Sequence, residues 1–376
     1  MSVRCGDLIR DKRVIVCAGS GGVGKTTTST ALALAAAREG RRVLALTVDP
    51  SRRLAQTLGV DRNLPRPVPV PRDRMDEAGL PEDAVLEAWM LDPGIVADNF
   101  VRRFASSDEE AERLIGNRIY TQVSRMIAGM QEYTAMEALY GFLREERYDL
   151  VVLDTPPSRN ALDFLYGPSR LSAFLDGRIF QLFLPGERRG LIRRAASRLV
   201  NRVNTAVFGA ENYADLQEFF GSFAGIFQRM NKNAAAGLEA LKDPEKVAFL
   251  LVTSPASESL TDAYFFRRKT LELNLPFRGF VLNRSQAAQD QRTVPPDDLF
   301  GDTPTADQAS ALAKLKHLAE FEQAAVIRDR QLLEQLHSEA GDDAFAIALP
   351  IIVGGAEKIA SLVALGNVLA AVDDAP

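Results

Sequence analysis

Short, almost unbroken apolar runs recur along the chain and alternate with longer stretches of helical period. Residues 13–18 (RVIVCA), 42–48 (RVLALTV), 88–91 (AWML), 150–153 (LVVL), 247–252 (VAFLLV), 279–282 (GFVL) and 344–349 (AFAIAL) each read as a strand. Runs this short and this continuously apolar belong to strands covered on both faces. Helical patterns lie between most of them, the first over residues 27–39. The predicted class is α/β: a doubly wound, mostly parallel sheet whose ligands sit at the C-terminal strand ends.

Several stretches depart from that rhythm. Residues 63–74 (NLPRPVPVPRDR) carry prolines at alternate positions and read as a loop or extended connector, not a helix. Residues 108–147 look helical throughout, with a break near Gly129. Residues 171–241 contain no strand-like run and are rich in Phe, Leu and Arg. That is too long for a structureless loop, so a helical subdomain is expected there. Residues 290–308 read as a polar, proline-containing loop. The organisation predicted is one domain over 1–376 with a helical insertion contributed by 94–146 and 160–245.

The candidate chemistry begins where the first strand ends. Gly19-Ser20-Gly21-Gly22-Val23-Gly24-Lys25-Thr26 places two glycines four residues apart and follows them with Lys and Thr, the phosphate-binding P-loop pattern. It lies between a predicted strand and a predicted helix, as the chemistry requires. Glycines let the backbone curl around an anion so that successive N–H groups point inward, and the helix adds its positive end. Lys25 would reach the terminal phosphates, and the Thr26 hydroxyl would meet Mg²⁺. Thr27 continues the same helix start. A P-loop nucleoside triphosphatase is therefore expected.

Two acids follow in suggestive places. Asp49 closes the second strand in Val48-Asp49-Pro50-Ser51. It suits the orientation or deprotonation of an attacking water, and it or Ser51 equally suits a helix N-cap. Asp154 follows four apolar residues in LVVLD, the pattern of a carboxylate near Mg²⁺ when a P-loop lies upstream. Pro156-Pro157 stiffens the next turn, a place for a phosphate-sensitive switch. Asn283 and Arg284 end a later strand, and Leu349-Pro350-Ile351 ends the last. Each is a candidate for a nucleotide-base pocket, or else ordinary loop chemistry.

Bulk properties narrow the function. The 376 residues are 46% hydrophobic and 25% charged, as in an ordinary globular protein. The net charge of -5 leaves no nucleic-acid footprint. Cys5 and Cys17 form no CxxC pair, which argues against a disulfide framework or a cysteine-rich zinc site within one chain. Cys17 reads as a small core residue, and His317 and His337 as surface residues of a charged helix. Residues 1–12 are polar and charged, and no window approaches the length of a membrane span. A cytoplasmic protein, touching a membrane surface at most transiently, is expected.

Taken together these motifs resemble the ArsA family of ATPases, a MinD-like branch of the deviant P-loop group that also holds the ATPase for guided entry of tail-anchored membrane proteins. Residues 19–26 match its P-loop, Asp49-Pro50 its switch I acid, and Asp154-Thr155-Pro156-Pro157 its D-T-A-P switch II. Gly129-Met130-Gln131-Glu132 is similar to its P-G-x-x-E loop, with Ala128 in place of proline. Asn283-Arg284 and Pro350 resemble its adenine-site motifs. The resemblance implies a Mg²⁺-dependent ATPase acting as a nucleotide-switched dimer, with Lys25 and Asp49 catalytic and Thr26 and Asp154 at the metal. It implies, as outputs, a carrier or targeting factor for hydrophobic protein segments, the energising subunit of a membrane anion transporter, or a MinD-like interaction protein.

The chain also departs from that family. Its signature first lysine, which reaches the partner's nucleotide, is Ser20 here. A slow enzyme, a substitute cation such as Arg52, Arg53 or Arg159, or a heterodimer with a related subunit that keeps the lysine would each follow. The CxxC dimer clamp and the extra cysteines of an arsenite-responsive pump are missing, and Arg52-Arg53 replace a less charged pair. In the predicted helical region, Phe219, Phe223 and Phe227 recur on one helical face, suiting either a groove for a hydrophobic helix or a subdomain core. Arg188, Arg189, Arg193, Arg194, Arg198 and Arg202 form a basic helix, suiting an anionic membrane surface or a solvated face.

Overall fold

The computed structural model describes residues 4–48, 53–61, 66–91, 98, 101–102, 105–117, 120, 131–156, 236–289, 293–301, 303, 305–352 and 358–371. In chain order its elements are α1 (Cys5–Asp11), β1 (Val14–Ala18), α2 (Lys25–Arg38), β2 (Val43–Thr47), α3 (Arg53–Leu58), β3 (Val68–Pro69), α4 (Arg72–Glu77) and β4 (Leu86–Met90). There follow α5 (Asp108–Ile115), α6 (Gln131–Glu145), β5 (Leu150–Asp154), β6 (Val247–Thr253), α7 (Ser257–Glu272), β7 (Phe277–Ser285), α8 (Ala306–Ala340), β8 (Phe345–Pro350) and α9 (Ile359–Ala370).

The strands form one eight-stranded sheet in the order β3-β4-β2-β5-β1-β6-β7-β8. All neighbours run parallel except β3, which pairs antiparallel with β4. Alternate residues of each strand face opposite helical layers, so every central strand is apolar on both sides. Val14, Val16, Leu153, Phe249, Leu251, Phe280 and Leu282 pack with residues of α5 to α8. Ile15, Cys17, Val152, Leu250, Val252 and Val281 pack on the other face with residues of α1, α2 and α9. That two-sided burial is why each run is continuous in sequence. Since β5 lies between β1 and β2 while β6 lies on the far side of β1, the chain reverses its winding at β1, the place where sheets of this kind bind ligands at the C-terminal strand ends.

α2 lies against the sheet along almost its whole length, with Ala31 to Ala37 all buried. Its small side chains admit α9 to close range; a Cβ on Gly366 would stand 2.9 Å from the Ala31 carbonyl oxygen. This tight contact, rather than a strong amphipathic stripe, fixes the helix that carries the P-loop.

Three expectations need correcting. The proline-rich connector supplies a short edge strand: β3 pairs Val68 with Ala88. Prolines cannot donate to a ladder, so they are tolerated at an edge and close the sheet there. α4 also starts inside that stretch, at Arg72. The helical run from 108 breaks at Gly116, well before Gly129: the Gly116 N–H returns to Glu112 O and the Asn117 N–H to Leu114 O, ending α5. Finally, the loop of 290–308 yields to α8 at a capping box. Thr305 Oγ1 accepts from Gln308 N, and Gln308 Oε1 accepts from Thr305 N.

Of the predicted helical insertion, Asp108–Ile115 and Gln131–Glu145 are helical. Residues 160–235 lie outside the described residues. So do the Phe219 to Phe227 series and the arginines between 188 and 202. Among the described residues no helix is long and apolar enough to cross a membrane.

Candidate functional site

The P-loop leaves β1 at the winding reversal and enters α2 at Lys25. Two glycines are demanded by their surroundings. A Cβ on Gly19 would lie 2.2 Å from the Val252 carbonyl oxygen of β6, so only glycine lets the loop depart between its neighbours. Gly24 has φ of 96°, and a Cβ there would lie 2.0 Å from Asn283 Nδ2. Gly21 and Gly22 form the exposed tip, while Val23 is anchored in the core beside α2. Gly19→Ala should therefore cost the protein its anion site before its fold, read as lost nucleotide binding by a protein whose thermal transition is lowered but still cooperative. The backbone atom it meets cannot move aside as a side chain tip would.

Lys25 is 5% exposed, and its Nζ donates to the Ser20 carbonyl oxygen at 2.9 Å. The ammonium thus curls back over the loop that it would share with a phosphate chain. Ser20 itself is half-buried, and its Oγ is enclosed with no hydrogen-bond partner among the described residues. Thr27 sits in the first turn of α2, half-buried.

Thr26 and Asp154 meet directly. Thr26 Oγ1 donates to Asp154 Oδ2 at 2.6 Å, and Thr47 Oγ1 donates to the same oxygen at 3.2 Å. Register explains the meeting: Asp154 pairs with Cys17 of β1 on one side and with Thr47 of β2 on the other. Thr155 then ties the strand end down, since its Oγ1 donates to Cys17 O at 2.9 Å. A carboxylate and a hydroxyl facing one space at the root of a P-loop are hard oxygen donors of the kind that suit Mg²⁺, which takes its remaining ligands from water and phosphate. The residues therefore fit the ion that the sequence implied.

Thr47 was not among the sequence-derived candidates. Nothing in the run RVLALTV distinguishes its threonine from a strand residue; only the β2–β5 register brings it to Asp154. Cys17 lies beside the site, yet burial, reinforced by the nearby Asp154 charge, pushes its thiol well above the ordinary cysteine range. It is a core residue, as expected.

The remaining candidates divide. Asp49 lies outside the described residues; the chain reaches it from Val48, whose N–H donates to Asp154 O at 3.2 Å. Pro157, Arg52 and Arg159 also lie outside, as do Gly129 and Met130. Asn283 is buried, and its Nδ2 donates to Val23 O at 2.8 Å. Arg284 has φ of 57° and is exposed. Pro350 stands beside Ser285 in the β7–β8 pairing and is half-buried. Of the segment proposed to line a base, Leu349 is fully buried in the core beside α2 and α9, and Ile351 is 46% exposed. Strand alternation sends Leu349 inward, so only its neighbours are placed to meet a ligand.

Comparison with known proteins agrees with this geometry. The chain is 24% identical to "ATPase ARSA2" of Chlamydomonas reinhardtii over 73% of its own length and 68% of that protein. It is 24% identical to "ATPase ASNA1 homolog 1" of Paramecium tetraurelia over 74% of its length and 76% of the relative. Against the "Arsenical pump-driving ATPase" of Acidiphilium multivorum it is 24% identical over 70% of its length, but it spans only 38% of that longer protein. Residues 12–295, from β1 through β7, match the model of the ArsA family described as anion-transporting ATPase, and the chain belongs to that family of ATPases.

Proposed function

We propose that this ATPase binds ATP with Mg²⁺ and uses its hydrolysis to switch a dimer that carries or targets hydrophobic protein segments. The observation that carries the nucleotide part is the meeting of Thr26 and Asp154 at the root of the P-loop. Mg²⁺ held there by Thr26 and Asp154 would offset the charge of the terminal phosphates. The loop N–H groups and the Lys25 ammonium bind the phosphate oxygens, and Asp49 orients the water. Thr155 ties down the end of β5, and the Pro156-Pro157 turn that follows it in sequence would be the part that responds to the terminal phosphate.

The carrier reading draws on the Phe-rich stretch 171–241 and on the resemblance to the tail-anchored branch. A synthetic 20-residue apolar helix flanked by basic residues tests it: nucleotide-dependent binding of that peptide supports a carrier. A second reading, the energising subunit of an oxyanion transporter, is favoured by the names of the arsenical pump-driving relatives. Arsenite is a poor fit to this chain. Cys5 and Cys17 are both buried, and burial pushes the Cys5 thiol up to about 12. A nucleotide-dependent complex with a multispan membrane protein, in place of peptide binding, would select the transporter.

Ser20 bears on the dimer. In a homodimer of this chain no ammonium arises from that position, so Ser20→Lys should raise turnover several-fold if the trans-acting cation is the missing element. Adding a related subunit that carries the lysine should do the same for the unaltered chain. A wild-type homodimer already at full rate, with no gain from Ser20→Lys, would reject the heterodimer.

A further inference from the structure

We infer that α8 carries a clasp for a second copy of this chain: Leu315, Leu318 and Phe321 of one copy pack antiparallel against the same three side chains of the other. The inference rests on the dimer proposed above and gives it a surface.

α8 is longer than the sheet it covers. Its 35 residues span about 52 Å, against about 20 Å for the 6 of β8. The C-terminal part of the helix meets the sheet: Leu336 and Ala340 lie in the core, with Leu332 and Leu333 packed on it. Asp329 fastens the middle, accepting from Gln286 N at 2.8 Å just past the end of β7. Among the described residues, all those buried on α8 except Leu312 lie from Ala325 onward. The first half is nonetheless firmly built. The Thr305–Gln308 capping box starts it, and an ion pair between Lys316 and Asp297 ties it to the preceding loop.

On this overhang large apolar side chains face water. Leu315, Leu318 and Phe321 are 45%, 52% and 68% exposed, and they follow in steps of three, so they adjoin along the helix surface. A contiguous apolar ridge rimmed by charges marks an interaction surface. Charge selects its partner. Residues 314–322 read KLKHLAEFE, with lysines around Leu315, glutamates around Phe321 and Leu318 at the centre. Lys316 is engaged by Asp297 in its own chain, while Lys314 and Glu322 each lie four residues from Leu318 and flank it. Turning a second copy end for end about Leu318 sets Leu318 against Leu318 and Leu315 level with Phe321. The basic end of each ridge then lies beside the acidic end of the other. A parallel copy would set Lys314 against Lys314, and an anionic membrane would meet the glutamates as well as the lysines. Three side chains from each copy fall short of the roughly 1,200–2,000 Å² that a stable interface buries, so the clasp sets the register of a dimer whose remaining contacts lie elsewhere.

Cross-linking tests the register. An axis at Leu318 brings the two Cα atoms within reach of a disulfide, so Leu318→Cys should give a covalent dimer under a mild oxidant. The background is low, because Cys5 and Cys17 are both buried. Ile327 is 44% exposed but projects from the opposite side of the helix, so Ile327→Cys should stay uncross-linked. Sedimentation equilibrium on the full chain, with and without Mg²⁺ and a non-hydrolysable ATP analogue, tests the affinity. Leu318→Glu sets two carboxylates together at the axis and should weaken the dimer roughly ten- to a hundredfold, with nucleotide affinity per chain unchanged. Lys314→Glu should weaken it several-fold, and adding Glu322→Lys should restore it, which a change in folding alone would not do. An undiminished dimer in Leu318→Glu, with no cross-link from Leu318→Cys, would overturn the clasp while leaving the dimer. The same dimer with loss of binding to the apolar test peptide would overturn it too, assigning the ridge to a client. A wild type that is monomeric in every condition would remove the dimer reading itself.

Discussion

Lys25→Ala is expected to abolish measurable ATP turnover while leaving the fold in place. The ammonium is held at 5% exposure over the loop, with its Nζ 2.9 Å from the Ser20 carbonyl oxygen. In that enclosed setting a positive charge on the transferring phosphoryl group acts with little solvent screening, and it is already oriented before the reaction begins. Removing one preorganised charge of this kind costs about 10²- to 10³-fold or more in rate. The fold should tolerate the loss because β1 and α2 are set by aliphatic packing on both faces of the sheet, not by this side chain. A steady-state phosphate-release assay checks the rate, and a thermal melt checks the fold. Turnover within tenfold of wild type in a clean preparation would remove Lys25 from the catalytic set.

The parts of this molecule that could be read from sequence are those where one residue type serves one local purpose. Seven strands were legible because each is covered on both faces, which forces a continuous apolar run. The P-loop was legible because Gly19 and Gly24 have no room for a Cβ, and Lys25 and Thr26 follow at fixed spacing. β3 was not, because a Val-Pro pair within a run of alternating prolines carries no period; its partner β4, distant in sequence, makes it a strand. The stop at Gly116 was passed over because Gly and Asn are individually tolerated in a helical pattern, and the break shows only in the N–H groups turning back to Glu112 and Leu114. The contact of Thr47 with Asp154 and that of Asn283 with Val23 O were illegible for a different reason. Both depend on register between strands far apart in the chain, and a hydroxyl or an amide in a strand gives no sign of which neighbour it will meet. Asn283 was singled out as a candidate for a nucleotide-base pocket, whereas its hydrogen bond to Val23 O under the P-loop shows only in the structure.

Asp154→Asn is expected to separate nucleotide binding from metal-dependent turnover. Asp154 is 1% exposed, yet the strand around it does not depend on its charge: register with Cys17 and Thr47 and the anchoring of Thr155 on Cys17 O all run through the backbone or through other side chains. An asparagine oxygen can accept the same two hydroxyl donors, Thr26 and Thr47, so the local hydrogen bonds survive. What is lost is the formal negative charge, which in a buried position is the main attraction for a hard divalent cation. Affinity for ATP in excess chelator should therefore stay close to wild type, whereas the gain in affinity on adding Mg²⁺ should shrink and turnover fall by about 10²-fold or more. The partner variant Thr47→Val sharpens the reading. It leaves the carboxylate and its charge but removes one donor that aims it, so it should raise the Mg²⁺ concentration needed for half-maximal binding without abolishing the maximum. Fluorescent-nucleotide titrations with and without Mg²⁺ measure both. If Asp154→Asn keeps the full Mg²⁺ response, the carboxylate is a structural acceptor for Thr26 and Thr47, and the metal must be held elsewhere.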